Sequence, residues 1–385
     1  MKVLTTLPLA ADVLPSGTRG IPALTGIRGV AACWVVLYHI GTNLDAIAPA
    51  LPVRDMALVR AGYLGVDLFF LLSGYVLAHS YFRRADTGMG STLQVFWIGR
   101  VFRIMPLNTF MLLLLSLLAT AFPAPFWSDA PLAASTFWAC LLLVQSWGFS
   151  NPTSWNFPAW SLSAEWAAYE VLPLILLAGR YARSAAIALA AALASLLVLV
   201  LIMLTLGEQN LHHVWLLGLP RCLLQFAAGA FLWRSLDLGL LRRGNPDAVL
   251  ATGLCGLAIA VAAPGLDLVA PFAFAAIIIG CAMESRLANR LFANSTAMFL
   301  GSISFSIYLS HAIIINGCKL VLARTGVELA SPPAAALLVL TLIGAILAVS
   351  TLTWRLVERP GQDAGRWCVQ ALGRSRLRRR KAVAP

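Results

Sequence analysis

Apolar stretches long enough to cross a bilayer recur along almost the whole chain, roughly at 27–47, 60–82, 101–122, 134–149, 163–179, 184–206, 214–233, 248–264, 268–284, 297–317 and 334–355. In hydrocarbon every backbone N–H and C=O must be satisfied within the protein, which leaves only helices or a closed barrel. The stretches do not alternate apolar with polar residues, as barrel strands would. About twenty apolar residues match a ~30 Å hydrocarbon core as a helix. Charged residues make up 11% of the chain, against about 25% in soluble domains. The expected fold is all-α: a polytopic membrane helix bundle of about ten transmembrane helices, both termini cytoplasmic.

The count of ten comes from the arginines and lysines, which collect on the cytoplasmic side of short loops. With the N-terminus inside, Arg83, Arg84, Arg100 and Arg103 follow the second span on the inside, and the stretch from Phe122 to Pro131, without Lys or Arg, lies outside. If 134–149 crossed, every later arginine loop would be inverted. If it does not, Arg180, Arg183, Arg234, Arg242, Arg243, Arg286, Arg290, Arg355 and Arg359 all fall inside. Lys319 and Arg324 are the exception. The 134–162 segment is therefore expected to be re-entrant or interfacial on the outer side. The net charge of +12 follows from these flanks, so a nucleic-acid partner is not expected. The basic run from Arg374 to Lys381 reads as a topological anchor. The seven cysteines show no metal-ligand spacing, and no metal site is expected. No internal repeat supports an inverted-repeat transporter.

Ionisable residues inside such runs are functional candidates by default. Arg28 and His39 lie in the first span, eleven residues apart. Eleven steps of about 100° return to one helical face, and a rise of about 1.5 Å separates the two by roughly 16 Å. Neutral His39 could remove a proton from an acceptor hydroxyl or carry an acyl group as a nucleophile. Asp67, several residues into the second span, could orient His39 or form a salt bridge, and Gly65 and Gly74 would allow close helix approach. Arg100 and Arg103 share a helical face by their i, i+3 spacing. With Arg28 they would form a basic site for a phosphorylated cytoplasmic donor, or serve only as anchors.

In the stretch Trp155 to Pro173, Ser161 or Ser163 could cap a helix whose first turn holds Glu165. Glu165 and Tyr169 share a face, and the aromatic residues around Trp160 read as an interfacial belt or a stacking surface for a sugar. Later, the serines around Tyr308 and His311 can hydrogen-bond between helices or line a substrate path. Glu358, ahead of Pro360, is expected to pair with a cytoplasmic arginine.

In order, these pieces resemble the integral-membrane acyltransferase 3 family, the O-acyltransferases of bacterial surface polysaccharides and related acceptors. The matching pieces are Arg28-x10-His39, the run from Gly65 to Gly74, Arg100-x-x-Arg103, Trp160-Ser-Leu-Ser-Ala-Glu165, the run from Gly301 to His311, and Glu358-Arg-Pro360. The resemblance runs from about Leu24 to Pro360. It implies ten core spans, an acyl-coenzyme A co-substrate (usually acetyl-CoA) used from the cytoplasm, and a polysaccharide or glycolipid acceptor modified at the outer face of the bacterial inner membrane. No permanently bound cofactor is implied.

Carried over by position, the resemblance makes His39 catalytic, with Glu165 and Asp67 assisting. Arg28, Arg100 and Arg103 would hold coenzyme A. Trp160, Ser163, Tyr169, Tyr308 and His311 would line the substrate path, with Glu165 near the acceptor on the side opposite the arginines. Where relatives have Ser-Tyr, this chain has Ser304-Phe305, so residue 305 is given no role. Some relatives append an extracytoplasmic hydrolase-like domain; none is seen here, which implies direct transfer or a separate extracytoplasmic partner. The expected domains are 1–20, a cytoplasmic N-terminal segment; 21–360, the membrane acyltransferase domain; and 361–385, a basic cytoplasmic tail. The rival expectation is an export factor for a lipid-linked glycan, its polar residues lining a pathway.

Overall fold

A computed structural model describes residues 20–51, 53, 55–86, 88–122, 132–263, 265–327, 329 and 331–383, with side chains as far as residue 374. Among the described residues there is no strand. The principal helices are α1 (Pro22–Thr42), α2 (Gly65–Ala85), α3 (Met89–Ala121), α4 (Ala134–Leu141), α5 (Ala159–Tyr181), α6 (Ala185–Thr205), α7 (Gly218–Asp237), α8 (Pro246–Ala262), α9 (Ala270–Ala282), α10 (Arg286–Phe292), α11 (Ser295–Ser302), α12 (Ser304–Thr325), α13 (Pro332–Thr353) and α14 (Arg359–Val383). Most of residues 1–20 lie outside the described residues, and α14 carries the basic tail.

Local chemistry sets several boundaries. Asn245 caps α8 by accepting from the backbone N–H groups of Asp247 and Ala248, and Asn294 caps α11 by accepting from that of Ala297. Gly326 ends α12 in the left-handed conformation that favours glycine. Seven helices are long and apolar enough to cross a bilayer, or eight if the bent Asp267–Ala282 and Arg286–Phe292 pair is one span. The ten expected runs all fall largely on helical residues, with 297–317 divided between α11 and α12. Helix α7, with Arg221, Arg234 and Asp237 along it, and α8, at 17 residues, do not qualify alone.

Close packing of α2 on α7 anchors the bundle. A Cβ on Gly74 would lie 1.9 Å from the Phe226 carbonyl oxygen, and one on Gly229 1.9 Å from that of Leu71. Only glycine permits that approach, as small residues do where bilayer helices cross.

Polar contacts define two ends. At one, Arg83 and Arg234 both pair with Asp237, at 2.5 and 2.8 Å, and Arg180 pairs with Asp86 at 2.9 Å. This is the end that the charge count assigns to the cytoplasm. At the other, Tyr38 meets His212, Tyr63 donates to Asp267, and Lys319 donates to Asn43 at 3.0 Å. Helix α3 leaves from beside Asp86, and α5 returns to it at Arg180. The chain between them therefore starts and finishes at the Tyr38 end, so 134–149 does not cross.

That segment enters the bundle. Helix α4 is only eight residues long, and the chain after it buries Gln145, Ser146, Ser154 and Asn156. Three of its side chains donate to carbonyls of the bundle: Gln145 to that of Ala159 at 3.0 Å, Ser146 to that of Trp160 at 2.8 Å, and Asn156 to that of Leu309 at 3.0 Å. Helix α5 consequently begins inside the bundle, with Ala159, Trp160 and Ser161 buried.

Candidate functional site

A cavity with about 970 Å³ of empty space, including its open mouth, lies between α1, α2, α3, α5 and α12. Its polar wall contains Arg28, Arg100, Arg103, Ser161, Glu165, Tyr169 and Tyr308. Three guanidiniums face it against one carboxylate. The spacings explain the convergence. Arg100 and Arg103 lie one turn apart on α3, Glu165 and Tyr169 one turn apart on α5, and Arg28 nearly two turns into α1.

The carboxylate is partly engaged. Tyr169 donates its hydroxyl to Glu165 Oε1 at 2.6 Å, and the Arg100 guanidinium stands 6.0 Å from the centre of the Tyr169 ring. Arg100 is 8% exposed, and its Nε has no hydrogen-bond partner among the described residues. A buried guanidinium without a carboxylate partner is a strong anion-binding group. A smaller recess beside the cavity joins Arg28 and Arg103 to Glu358 and Gln362. Glu358 accepts from Ser306 at 2.7 Å and from Gln362 at 3.0 Å.

Beyond the cavity lie two imidazoles. Tyr308 closes its inner end, sharing a 2.7 Å hydrogen bond with Ser161. One turn further along α12, the Tyr308 and His311 rings stand 6.0 Å apart. His311 Nε2 is 3.0 Å from His39 Nδ1, and the two rings stack at 4.9 Å with 29° between their planes. Phe157, from the re-entrant segment, meets the His39 ring edge-on at 4.8 Å. His39 itself is half-buried and is not part of the cavity wall.

The structure corrects four expectations. Asp67 does not orient His39. It is fully buried, and Arg221 grips it through Nε and Nη2, at 3.2 Å and 3.0 Å to Oδ1 and 2.9 Å to Oδ2, while Gln225 donates to Oδ1 at 2.6 Å. Glu165 lies in the same cavity as the arginines, not on the opposite side. This is because α5 starts inside the bundle and α3 starts at Met89, well before Arg100. Neither Ser161 nor Ser163 caps α5, which begins at Ala159 without a side-chain cap and has no acid in its first turn. Ser163 instead accepts from the Ser146 backbone N–H at 3.0 Å, and Trp160 packs between Phe70 and Arg221, so neither lines the cavity.

Sequence reasoning did not single out Arg221, Tyr38 or His212. Arg221 was findable, because an arginine inside an apolar run requires an acidic partner, and Asp67 was the unmatched acid of the neighbouring runs.

Comparison with known proteins bears on this arrangement. A family model described as an acyltransferase domain matches residues 21–354. Acyltransferase MdmB of Streptomyces mycarofaciens is 33% identical over 168 residues, 42% of this chain and 40% of that protein. The putative peptidoglycan O-acetyltransferase YrhL of Bacillus subtilis is 24% identical over 376 residues, 90% of this chain and 56% of the relative. The putative membrane-bound transacylase BcsY of Komagataeibacter xylinus is 24% identical over 379 residues, 92% of this chain and 86% of the relative. The chain thus spans about half the length, or less, of the first two. No solved structure matches it.

Proposed function

Because the chain belongs to the acyltransferase 3 family, we propose that it moves an acyl group, acetyl in the simplest case, from acyl-coenzyme A to a sugar hydroxyl of a surface or lipid-linked polysaccharide. The observation that carries this reading is the cavity running from Arg28, Arg100 and Arg103 to Tyr308, whose ring stands 6.0 Å from His311 of the His39–His311 pair. A coenzyme A thioester has phosphates at one end and the reactive carbonyl at the other. A basic mouth and an imidazole at the far end match that polarity.

In this reading the donor enters from the arginine end, and its phosphates meet the guanidiniums. The Glu165–Tyr169 pair lines the channel for the pantetheine arm. The acceptor approaches His39 from the Tyr38 end. His39 takes the proton of the acceptor hydroxyl as its oxygen bonds to the acyl carbon. The C–S bond breaks, and the thiolate of coenzyme A leaves with that proton. The location is the bacterial inner membrane, with the arginine end cytoplasmic. The relatives named as O-acetyltransferases support the polysaccharide acceptor.

Two measurements test this. Purified protein with acetyl-coenzyme A and soluble peptidoglycan oligomers should release free thiol, and His39→Ala should abolish the release. Mass spectrometry of surface glycans should show an acyl modification lost when the chain is deleted. Unchanged glycans, together with full thiol release by His39→Ala, would sink the proposal.

A further inference from the structure

We infer that His311 is a positioning residue that decides which nitrogen of His39 carries the proton, leaving His39 Nε2 as the reactive atom; this rests on the reading of His39 as the acid–base group. The argument starts at a backbone carbonyl. His311 Nδ1 stands 3.2 Å from the Ile307 carbonyl oxygen, one turn back on α12. A carbonyl can only accept, so Nδ1 carries the hydrogen. A neutral imidazole has one N–H, so Nε2 of His311 presents a lone pair.

That lone pair faces His39 Nδ1 at 3.0 Å, and the contact is a hydrogen bond only if His39 Nδ1 is the donor. That contact therefore selects the tautomer of His39 with the proton on Nδ1. His39 Nε2 is left unprotonated, and it has no hydrogen-bond partner among the described residues.

A doubly protonated His311 is disfavoured by its surroundings. It is fully buried, and among the described residues its ring nitrogens meet the Ile307 carbonyl and His39, with no carboxylate in contact. An uncompensated cation there would be costly. Tyr38 and His212 are the remaining titratable groups at the pair. Phe157 packs on both rings, with centroids 4.8 Å from His39 and 6.1 Å from His311, which restrains their rotation.

The chemical consequence is specific. When His39 Nε2 accepts a proton, the ring becomes an imidazolium whose Nδ1–H already points at the His311 lone pair. A carboxylate in that place would favour a permanently protonated His39. A neutral imidazole orients the ring and still leaves its base available. This is the orienting task of the third member of a catalytic triad, performed without charge.

The test uses the full-length protein in lipid, labelled with ¹⁵N-histidine. Its five histidines can be assigned by replacing each one singly. His39 should show a protonated Nδ1 and a bare Nε2 near pH 8. In His311→Leu the tautomer preference should disappear, and kcat for thiol release from acetyl-coenzyme A with peptidoglycan oligomers should fall about 100-fold. The donor KM should stay within about twofold. His311→Gln, whose amide oxygen can accept in place of Nε2, should keep the tautomer and stay within about tenfold of the parent kcat. A wild-type His39 protonated at Nε2, or a His311→Leu variant with unchanged tautomer and kcat, overturns the inference. If the tautomer and its loss appear as expected but the parent releases no thiol, the pairing stands and the acyltransfer reading falls.

Discussion

Asp67 and Arg221 are 154 residues apart in sequence, yet the carboxylate and guanidinium meet through both carboxylate oxygens inside the bundle, 0% and 1% exposed. Gln225 adds a third group to the carboxylate, and Arg221 Nη1 reaches the His213 carbonyl at 3.4 Å. The pair therefore ties α2 to α7 and to the loop that carries His212. Losing one member strands a buried charge. Asp67→Ala should cost about 3–5 kcal/mol, whereas Asp67→Leu combined with Arg221→Met should recover much of that loss. Thermal unfolding in detergent reads both; a single variant as stable as the parent would show that the pair is not desolvated.

The crossing of α2 and α7 gives a second stability prediction. Gly74→Ala places a methyl group 1.9 Å from a backbone oxygen that cannot rotate away. The helices must separate, at a cost of about 1–3 kcal/mol or more. Gly90→Ala, with nothing within 4 Å of the added Cβ, should be tolerated, and the difference in melting temperature between the two checks the crossing.

Arg100 should matter for donor affinity more than for any other step. It is buried against Tyr169 with its Nε unpaired, so an incoming phosphate forms new charge-assisted hydrogen bonds there. Such bonds are worth about 1.5–3 kcal/mol. Arg100→Ala should weaken coenzyme A binding by roughly 10- to 100-fold in calorimetry, and Arg100→Lys should restore only part of it. Equal affinity in all three proteins would remove the anion-site reading.

His212 lies in the loop between α6 and α7, outside the spans. Burial holds its pKa below the ordinary 6.5, and the nearby Arg221 cation adds to that effect. A lowered value means that the folded protein resists a proton which the unfolded chain accepts. The stability His212 contributes is therefore present above about pH 6.5 and is lost as pH falls through that value towards the lower folded one. Protonation would also remove the lone pair that meets the Tyr38 hydroxyl. Melting temperature should decline between pH 7 and 5, and His212→Phe should flatten that decline.

Sidedness can be measured directly. In a background without the seven native cysteines, Asn151→Cys should react with an impermeant maleimide only from outside the cell. Arg242→Cys, beyond the Asp237 end of α7, should react only from the cytoplasm. The same accessibility for both would break the assignment of 132–158 as a returning segment.

The sequence carried the helices, the non-crossing segment and the three arginines, because each depends on local pattern: apolar runs, charge parity across loops, and i, i+3 spacing. Partner choice across helices was not local. Asp67 could be read as facing His39, because both were expected near one leaflet. Its actual partner, Arg221, sat in a run that looked merely apolar. Glu165 was assigned to the far side because the depth at which α5 starts depends on how far Gln145, Ser146 and Asn156 sink into the bundle. The meeting of His311 with His39 depends on the register of α12 against α1, which no spacing within either helix reports.

The cavity stops at the Tyr308–Ser161 hydrogen bond, and His39 lies beyond it, in contact with His311. For a thioester held from the arginines to meet an acceptor at His39, those two side chains must part, so their hydrogen bond stands as a latch between the two substrates.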